Sequence, residues 1–183
     1  MGAIEQTVAV YERLKGRKYK VTVENGIEFV LDFDKKYYHH LAGYHYLTDV
    51  AGIAAPAYGK ARFYQRLKNG RIKETEILCS QLFHNIAERI EHFGMIEEIL
   101  SAGACKIIVE FDKRKADSDI EAKFYLYQRR GNPLLREPVT YYMLFIGCDT
   151  ERNRYYPATY IVEHSTKYTA GQTMLNCKIE WME

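Results

Sequence analysis

The sequence predicts an α+β protein: an N-terminal helix and β-hairpin, a long central helix, then a C-terminal antiparallel sheet. Three observations carry this. The longest helical apolar pattern lies between Glu74 and Leu100. After Gly103 the runs become rich in β-branched and aromatic residues. The connections between those runs are too short for helical crossovers, which makes the pairing antiparallel. No internal repeat or linker interrupts the chain, so residues 1–183 read as a single domain.

Ile4, Val8, Tyr11 and Leu14 recur at helical spacing, predicting a short amphipathic helix over 3–15 that stops at Gly16. Lys18–Val23 and Ile27–Phe33 alternate like strands around Asn25-Gly26, a strong hairpin signal. The stretch 37–50, YYHHLAGYHYLTDV, follows directly and so lies at the end of the sheet. Residues 51–59 are small and carry Pro56, which reads as a loop. Ala61–Leu67 is a short basic helix ending at Asn69-Gly70. Over Glu74–Leu100, the residues Leu78, Leu82, Ile86, Ile90, Phe93, Ile96 and Leu100 keep one face apolar, with Gly94 a candidate break. Cys105–Phe111, Ala122–Gln128, Val139–Gly147, Ala158–His164 and Met174–Trp181 follow as strands, separated by charged or Gly/Pro-bearing turns.

Composition excludes several classes. The chain carries a net charge of +2, so bulk charge does not mark a nucleic-acid binder, but its distribution is uneven. Residues 60–73 hold six basic side chains and no acidic one, interleaved with Phe63 and Tyr64. Basic plus aromatic suits a phosphate-tracking surface, and it equally suits a solvated helix face. The 16 tyrosines add groups that stack on unpaired bases. Cys79, Cys105, Cys148 and Cys177 are spread singly without zinc or redox spacing, and are expected reduced. Glu5 and Glu12 interrupt the N-terminal stretch where an export signal would be apolar, and no apolar run approaches membrane-spanning length. A cytoplasmic protein with no membrane partner is expected.

His39, His40 and His45 place half of the chain's six histidines within seven residues. Histidine titrates near neutrality, so such a cluster points to proton transfer, although isolated histidines are ordinarily surface or hydrogen-bonded core groups. Two histidines five apart do not share a helix face, and no HExxH or paired CxxC accompanies them, so no metal and no cofactor is expected. A second constellation lies near the C-terminus. Thr159, Ile161 and Glu163 share one strand face; Lys167, Tyr168, Thr169 and Gln172 follow in the connection, where all can donate to a phosphate. Glu163 or His164 can act there as base or acid, and the plain alternative is a polar turn.

Together, His40-Leu41-Ala42-Gly43-Tyr44-His45 after a hairpin and Thr166-Lys167-Tyr168 with Gln172 late in the chain resemble the phage-encoded nuclease-like families grouped with barnase, EndoU, colicin and RelE, and among them the fourth of the phage set. The resemblance covers most of the chain through short motifs. It implies a RelE/barnase-like ribonuclease architecture and metal-independent cleavage of RNA, tRNA or mRNA, by attack of the 2′-OH on the phosphodiester. On that reading His40 and His45 are the base and acid pair and Lys167 stabilises the phosphate. Tyr168, Thr159 and Gln172 position it, and Arg62, Tyr64, Arg66 and Glu163 bind substrate. The setting implied is a toxin-like or phage effector in the host bacterial cytosol, with an immunity or host protein as a further partner. The competing reading is a non-catalytic RNA- or protein-binding module that inhibits a host enzyme or defence system. Aromatic strands left exposed would also suit a homodimer. A small-nucleotide phosphoesterase ranks last, because no glycine-rich phosphate loop is present.

Overall fold

The computed structural model describes residues 2–182, with the side chains of Ala104 and Cys105 outside the described set. Of the four cysteines, Cys79, Cys148 and Cys177 are free; the side chain of Cys105 lies outside the described set.

Helix α1 (Ala3–Lys15) follows the apolar spacing, burying Ile4, Val10, Tyr11 and Leu14. Its first turn is held by the Glu5 carboxylate, which accepts from the Gly2 amide at 3.1 Å, as an acidic group at a helix N-terminus should. Strands β1 (Lys18–Val23) and β2 (Glu28–Asp32) pair antiparallel about Asn25-Gly26, with Gly26 at φ 88 supplying the left-handed residue that the turn requires. Then come α2 (Tyr38–Leu41), a 3₁₀ turn at Tyr44–Tyr46 and α3 (Lys60–Lys68).

The expected long central helix over Glu74–Leu100 is instead three short helices. They are α4 (Glu74–Leu78), α5 (Ala87–Glu91) and α6 (Met95–Ile99), with a 3₁₀ turn at Phe83–Asn85. The first break has a physical cause. The Asp49 carboxylate accepts from Ser80 Oγ at 2.6 Å and from the Gln81 amide at 2.8 Å, while Ser80 Oγ accepts from the Leu82 amide at 3.1 Å. These side chains offer the backbone partners that a continuous helix would have to supply. Periodicity survives because each piece turns its apolar side inward: Ile77, Ile86, Ile90, Phe93, Ile96 and Leu100 are all buried. Leu78, placed on that face by spacing, is 47% exposed.

The remaining strands are β3 (Gly103–Glu110), β4 (Phe124–Arg130), β5 (Thr140–Asp149), β6 (Arg154–Glu163) and β7 (Thr173–Met182). They pair antiparallel as expected, but the hairpin does not stand apart from them. β1 pairs β7 over Lys18–Val23, β2 meets β6 in parallel at Leu31–Tyr155, and the sheet closes in the order β1-β2-β6-β5-β4-β3-β7. Closure removes the free edges that would otherwise invite strand addition.

Both faces of the central strands are apolar, with the alternation a strand imposes. Ile108, Phe124, Leu126, Leu144 and Ile146 join the main core with α1, α2 and the central helices. Their neighbours Val109, Tyr125, Met143 and Phe145 form a second cluster with Phe111, Ala116 and Ile161, against which Ile120 and Tyr168 pack. The second cluster therefore fixes two connections, 111–123 and 164–172, on one face of the sheet.

Candidate active site

Three layers converge on one cleft of about 620 Å³. His40, His45 and Tyr46 come from the segment after β2. Arg89 comes from α5, and Tyr156, Ala158, Thr159 and Ile161 come from β6. Residues 117–121, Lys167 and Tyr168 come from the two connections. The histidine segment owes its course to Gly43, at φ 82, where a β-carbon would lie 2.7 Å from Ile86 Cγ2 and 3.2 Å from Arg89 Cδ. Glycine there lets the segment lie directly on α5, which brings Arg89 beside the imidazoles.

The His40 and His45 rings lie 4.6 Å apart between centroids. Lys60, the first residue of α3, donates from Nζ to His40 Nε2. Burial, then the Lys60 ammonium and His39, push His40 down to about 4. Burial, then His40, Arg89 and other neighbours, push His45 down to about 3. Both rings are therefore neutral at pH 7. His45 Nδ1 is buried without a hydrogen-bond partner, which leaves Nε2 as the nitrogen available to the cleft. His39 is not part of this arrangement. It is fully buried, and Nε2 donates to the Ile53 carbonyl at 2.7 Å.

Arg89 is the group the sequence reading passed over. It is half-buried and forms no ion pair among the described residues; Nη1 lies 3.4 Å from Thr159 Oγ1, and Cζ stands 5.0 Å from the Tyr46 ring centroid. Burial pulls its guanidinium below the usual value, yet arginine stays charged near neutrality. A cation held in a cleft without an ion-pair partner is a ready anion site. A signal existed: Arg89 falls between Ile86 and Ile90 and four residues before Phe93, an arginine set into the apolar stripe. Lys60 carried no comparable signal, because its contact with His40 spans 20 residues.

The other residues named from sequence divide clearly. Thr159, Lys167 and Tyr168 line the cleft with the histidines, and Lys167 Nζ sits 5.3 Å from the Tyr168 ring centroid. Gln172 does not line it. Its side chain donates to the Asp112 carbonyl at 3.0 Å and accepts from the Asp112 amide at 2.9 Å, clamping one connection to the other. Lys115, donating to the Gly171 carbonyl at 2.9 Å, and Tyr125, donating to the Tyr168 carbonyl at 2.8 Å, complete the same tie. Glu163 is turned to its own backbone, accepting from the His164 and Ser165 amides at 2.9 Å each. His164 pairs with Glu88 at 3.0 Å outside the cleft. Tyr64 is fully buried, its hydroxyl donating to Glu12. Arg62 and Arg66 lie beyond the cleft on α3, against Tyr58.

Carboxylates also face this space: Asp117, Asp119 and Glu121 line the wall built by 112–121. Among the described residues no group of three histidine, cysteine, aspartate or glutamate side chains is arranged to hold a metal ion, and no helix is long and apolar enough to cross a membrane.

A family model described as phage-Barnase-EndoU-ColicinE5/D-RelE like nuclease4 matches residues 3–175. No curated protein and no solved structure matches the chain.

Proposed function

The chain belongs to the phage barnase–EndoU–colicin E5/D–RelE-like nuclease family, and from that premise we propose that it is a metal-independent endoribonuclease acting on tRNA or mRNA in the host cytosol. The observation that carries this reading is the juxtaposition in one cleft of two neutral imidazoles 4.6 Å apart and an arginine without a carboxylate partner.

Each role follows from an environment. His45 has a free, neutral nitrogen toward the cleft and serves as the base that takes the 2′-hydroxyl proton. The 2′-oxygen then attacks the adjacent phosphorus and the bond to the 5′-oxygen breaks. His40 stands on the donor side: Lys60 donates to its Nε2, which leaves the ring's own proton on Nδ1, and the leaving 5′-oxygen takes that Nδ1 proton as Lys60 passes one of its own to Nε2. The products are a 2′,3′-cyclic phosphate and a 5′-hydroxyl. Arg89 and Lys167 balance the charge that grows on the non-bridging oxygens. The Thr159 hydroxyl and Tyr168 orient the phosphate between them. Gln172 acts at a distance, by holding the wall that carries Tyr168.

The test is digestion in EDTA of total RNA, tRNA and single-stranded DNA by wild type and by the His40→Ala/His45→Ala variant. Discrete RNA fragments ending in 2′,3′-cyclic phosphate, absent with the variant, are the expected result. DNA, which lacks the attacking hydroxyl, stays intact. Cleavage of DNA, or RNA cleavage abolished by EDTA, would overturn the proposal.

A further inference from the structure

Tyr58 is 63% exposed at the end of the loop leading into α3. Two guanidiniums gather on it: Arg62 Cζ lies 5.1 Å and Arg66 Cζ 5.6 Å from the ring centroid. The two arginines are one turn apart on α3, and Tyr58 stays largely open to solvent beside them. Among the described residues neither arginine has an ion-pair partner, whereas Lys68 on the same helix is paired with Glu12 at 2.7 Å. A merely solvated basic face would not collect two unneutralised cations on one exposed ring.

This cluster is joined to the cleft by two steps of chain. Gly59, at φ 79, follows Tyr58, and Lys60 then begins α3 with its ammonium on His40. Two residues span at most about 7 Å between Cα atoms. An aromatic face flanked by cations is the composition that holds an unpaired base and its phosphate.

Building on the ribonuclease reading above, we propose that Tyr58, Arg62 and Arg66 form a single-strand subsite, in which a nucleotide flanking the cleaved bond stacks on Tyr58 while the two arginines hold its phosphate. A paired base offers no free face to Tyr58, so the subsite selects unpaired RNA, such as a loop or a message, over duplex.

The experiment measures fluorescence anisotropy of a short labelled RNA in which every 2′-hydroxyl is replaced by fluorine, free and as a blunt duplex. Wild type should bind the single strand well above the duplex. Tyr58→Ala should weaken that binding roughly tenfold, within the usual range for a lost base–aromatic stack, while Tyr58→Trp retains it. Arg62→Gln/Arg66→Gln should lower the slope of log affinity against log salt by about 1.4. Unchanged affinity in Tyr58→Ala, or equal affinity for duplex, overturns the subsite. Because this probe lacks the attacking hydroxyl, the result is separable from the chemistry. RNA cut normally while Tyr58→Ala binds as wild type removes the subsite alone. Tyr58-dependent binding with RNA left intact removes the ribonuclease reading alone.

Discussion

His45 presents an unusual combination: a ring nitrogen buried without a partner, a neighbouring imidazole and cations on two sides, all of which oppose protonation. The consequence for rate has a definite sign. A general base with its pKa at about 3 stays competent far below the pH at which an ordinary histidine is lost. We therefore expect kcat/KM, which reports the free enzyme, to stay level from pH 7.5 to 5. A fall beginning near pH 6.5 would remove His45 from the base role. Bound phosphate favours the imidazolium, so the acid limb of kcat should lie at higher pH than that of kcat/KM. The same residues make stability pH-dependent. The unfolded chain protonates His39, His40 and His45 near the ordinary value, while the folded chain resists until about 4 for His40 and about 3 for His45. Their contribution is fully present above about pH 6.5 and is lost as the pH falls towards those values. Between pH 6.5 and 5 few carboxylates titrate, so a fall in Tm there, made shallower by His40→Asn/His45→Asn, isolates this term. Arg89 can be tested just as directly. Arg89→Gln should cost on the order of a hundredfold or more in kcat with the fold retained by circular dichroism, and Arg89→Lys should recover little, since a point charge does not replace the guanidinium fork.

Two local devices set how well the cleft is formed. Gly43 is needed twice over, for its positive φ and for its approach to Ile86 and Arg89. Gly43→Ala should lower stability by about 1–3 kcal/mol and activity with it, measured by urea unfolding and by the RNA digest. Gln172→Ala removes two backbone-directed hydrogen bonds between the connections but no group from the cleft. Its expected signature is faster amide exchange over 112–121 and 166–172, with a raised KM and a kcat near wild type; a collapse of kcat with unchanged exchange would restore Gln172 to direct phosphate contact. Gln172 also illustrates what a sequence conveys. Its place beside Lys167 and Tyr168 was legible, its orientation was not, because that depends on Asp112, 60 residues away. Hairpin and strands were legible because Asn25-Gly26 and period-two alternation are local signals. The break between α4 and α5 was not, because Asp49 supplies it from 31 residues away. Tyr64 reads as a phosphate-tracking aromatic by composition and is core by position, since helix α3 is basic on one side and packed on the other.

At the scale of the molecule, the closed sheet explains why the cleft has both a cationic and an acidic side. Closure requires β7 to return to β1, and the connection that carries it back, 164–172, is tied to 112–121, which brings Asp117, Asp119 and Glu121 into one cleft with Arg89. Such closure was hidden in the sequence, because hairpin and final strand lie at opposite ends of the chain. The charge pattern bears on affinity and choice of substrate. With a net charge of only +2, the proposed ribonuclease would have weak general attraction to RNA, and its binding would come from the cations gathered here: Lys60, Arg62, Arg66, Arg89 and Lys167. If each meets a phosphate, log affinity for single-stranded RNA should fall with log salt at a slope of about −3.5. The acidic wall repels phosphates that approach from its side and offers acceptors only to base amino groups. Neutralising it with Asp117→Asn/Asp119→Asn, where asparagine keeps the positive φ of Asp117, should tighten binding several-fold at low salt and steepen the slope, because the gain is screened away as salt rises. It should also widen the range of sequences cut, because a steeper attraction for any RNA replaces a choice among bases. Affinity against salt, with product mapping on one mixed RNA pool, reads both effects. If cleavage is instead lost while binding tightens, these carboxylates take part in the proton transfers, and the division of labour proposed for His40 and His45 must be redrawn to include them.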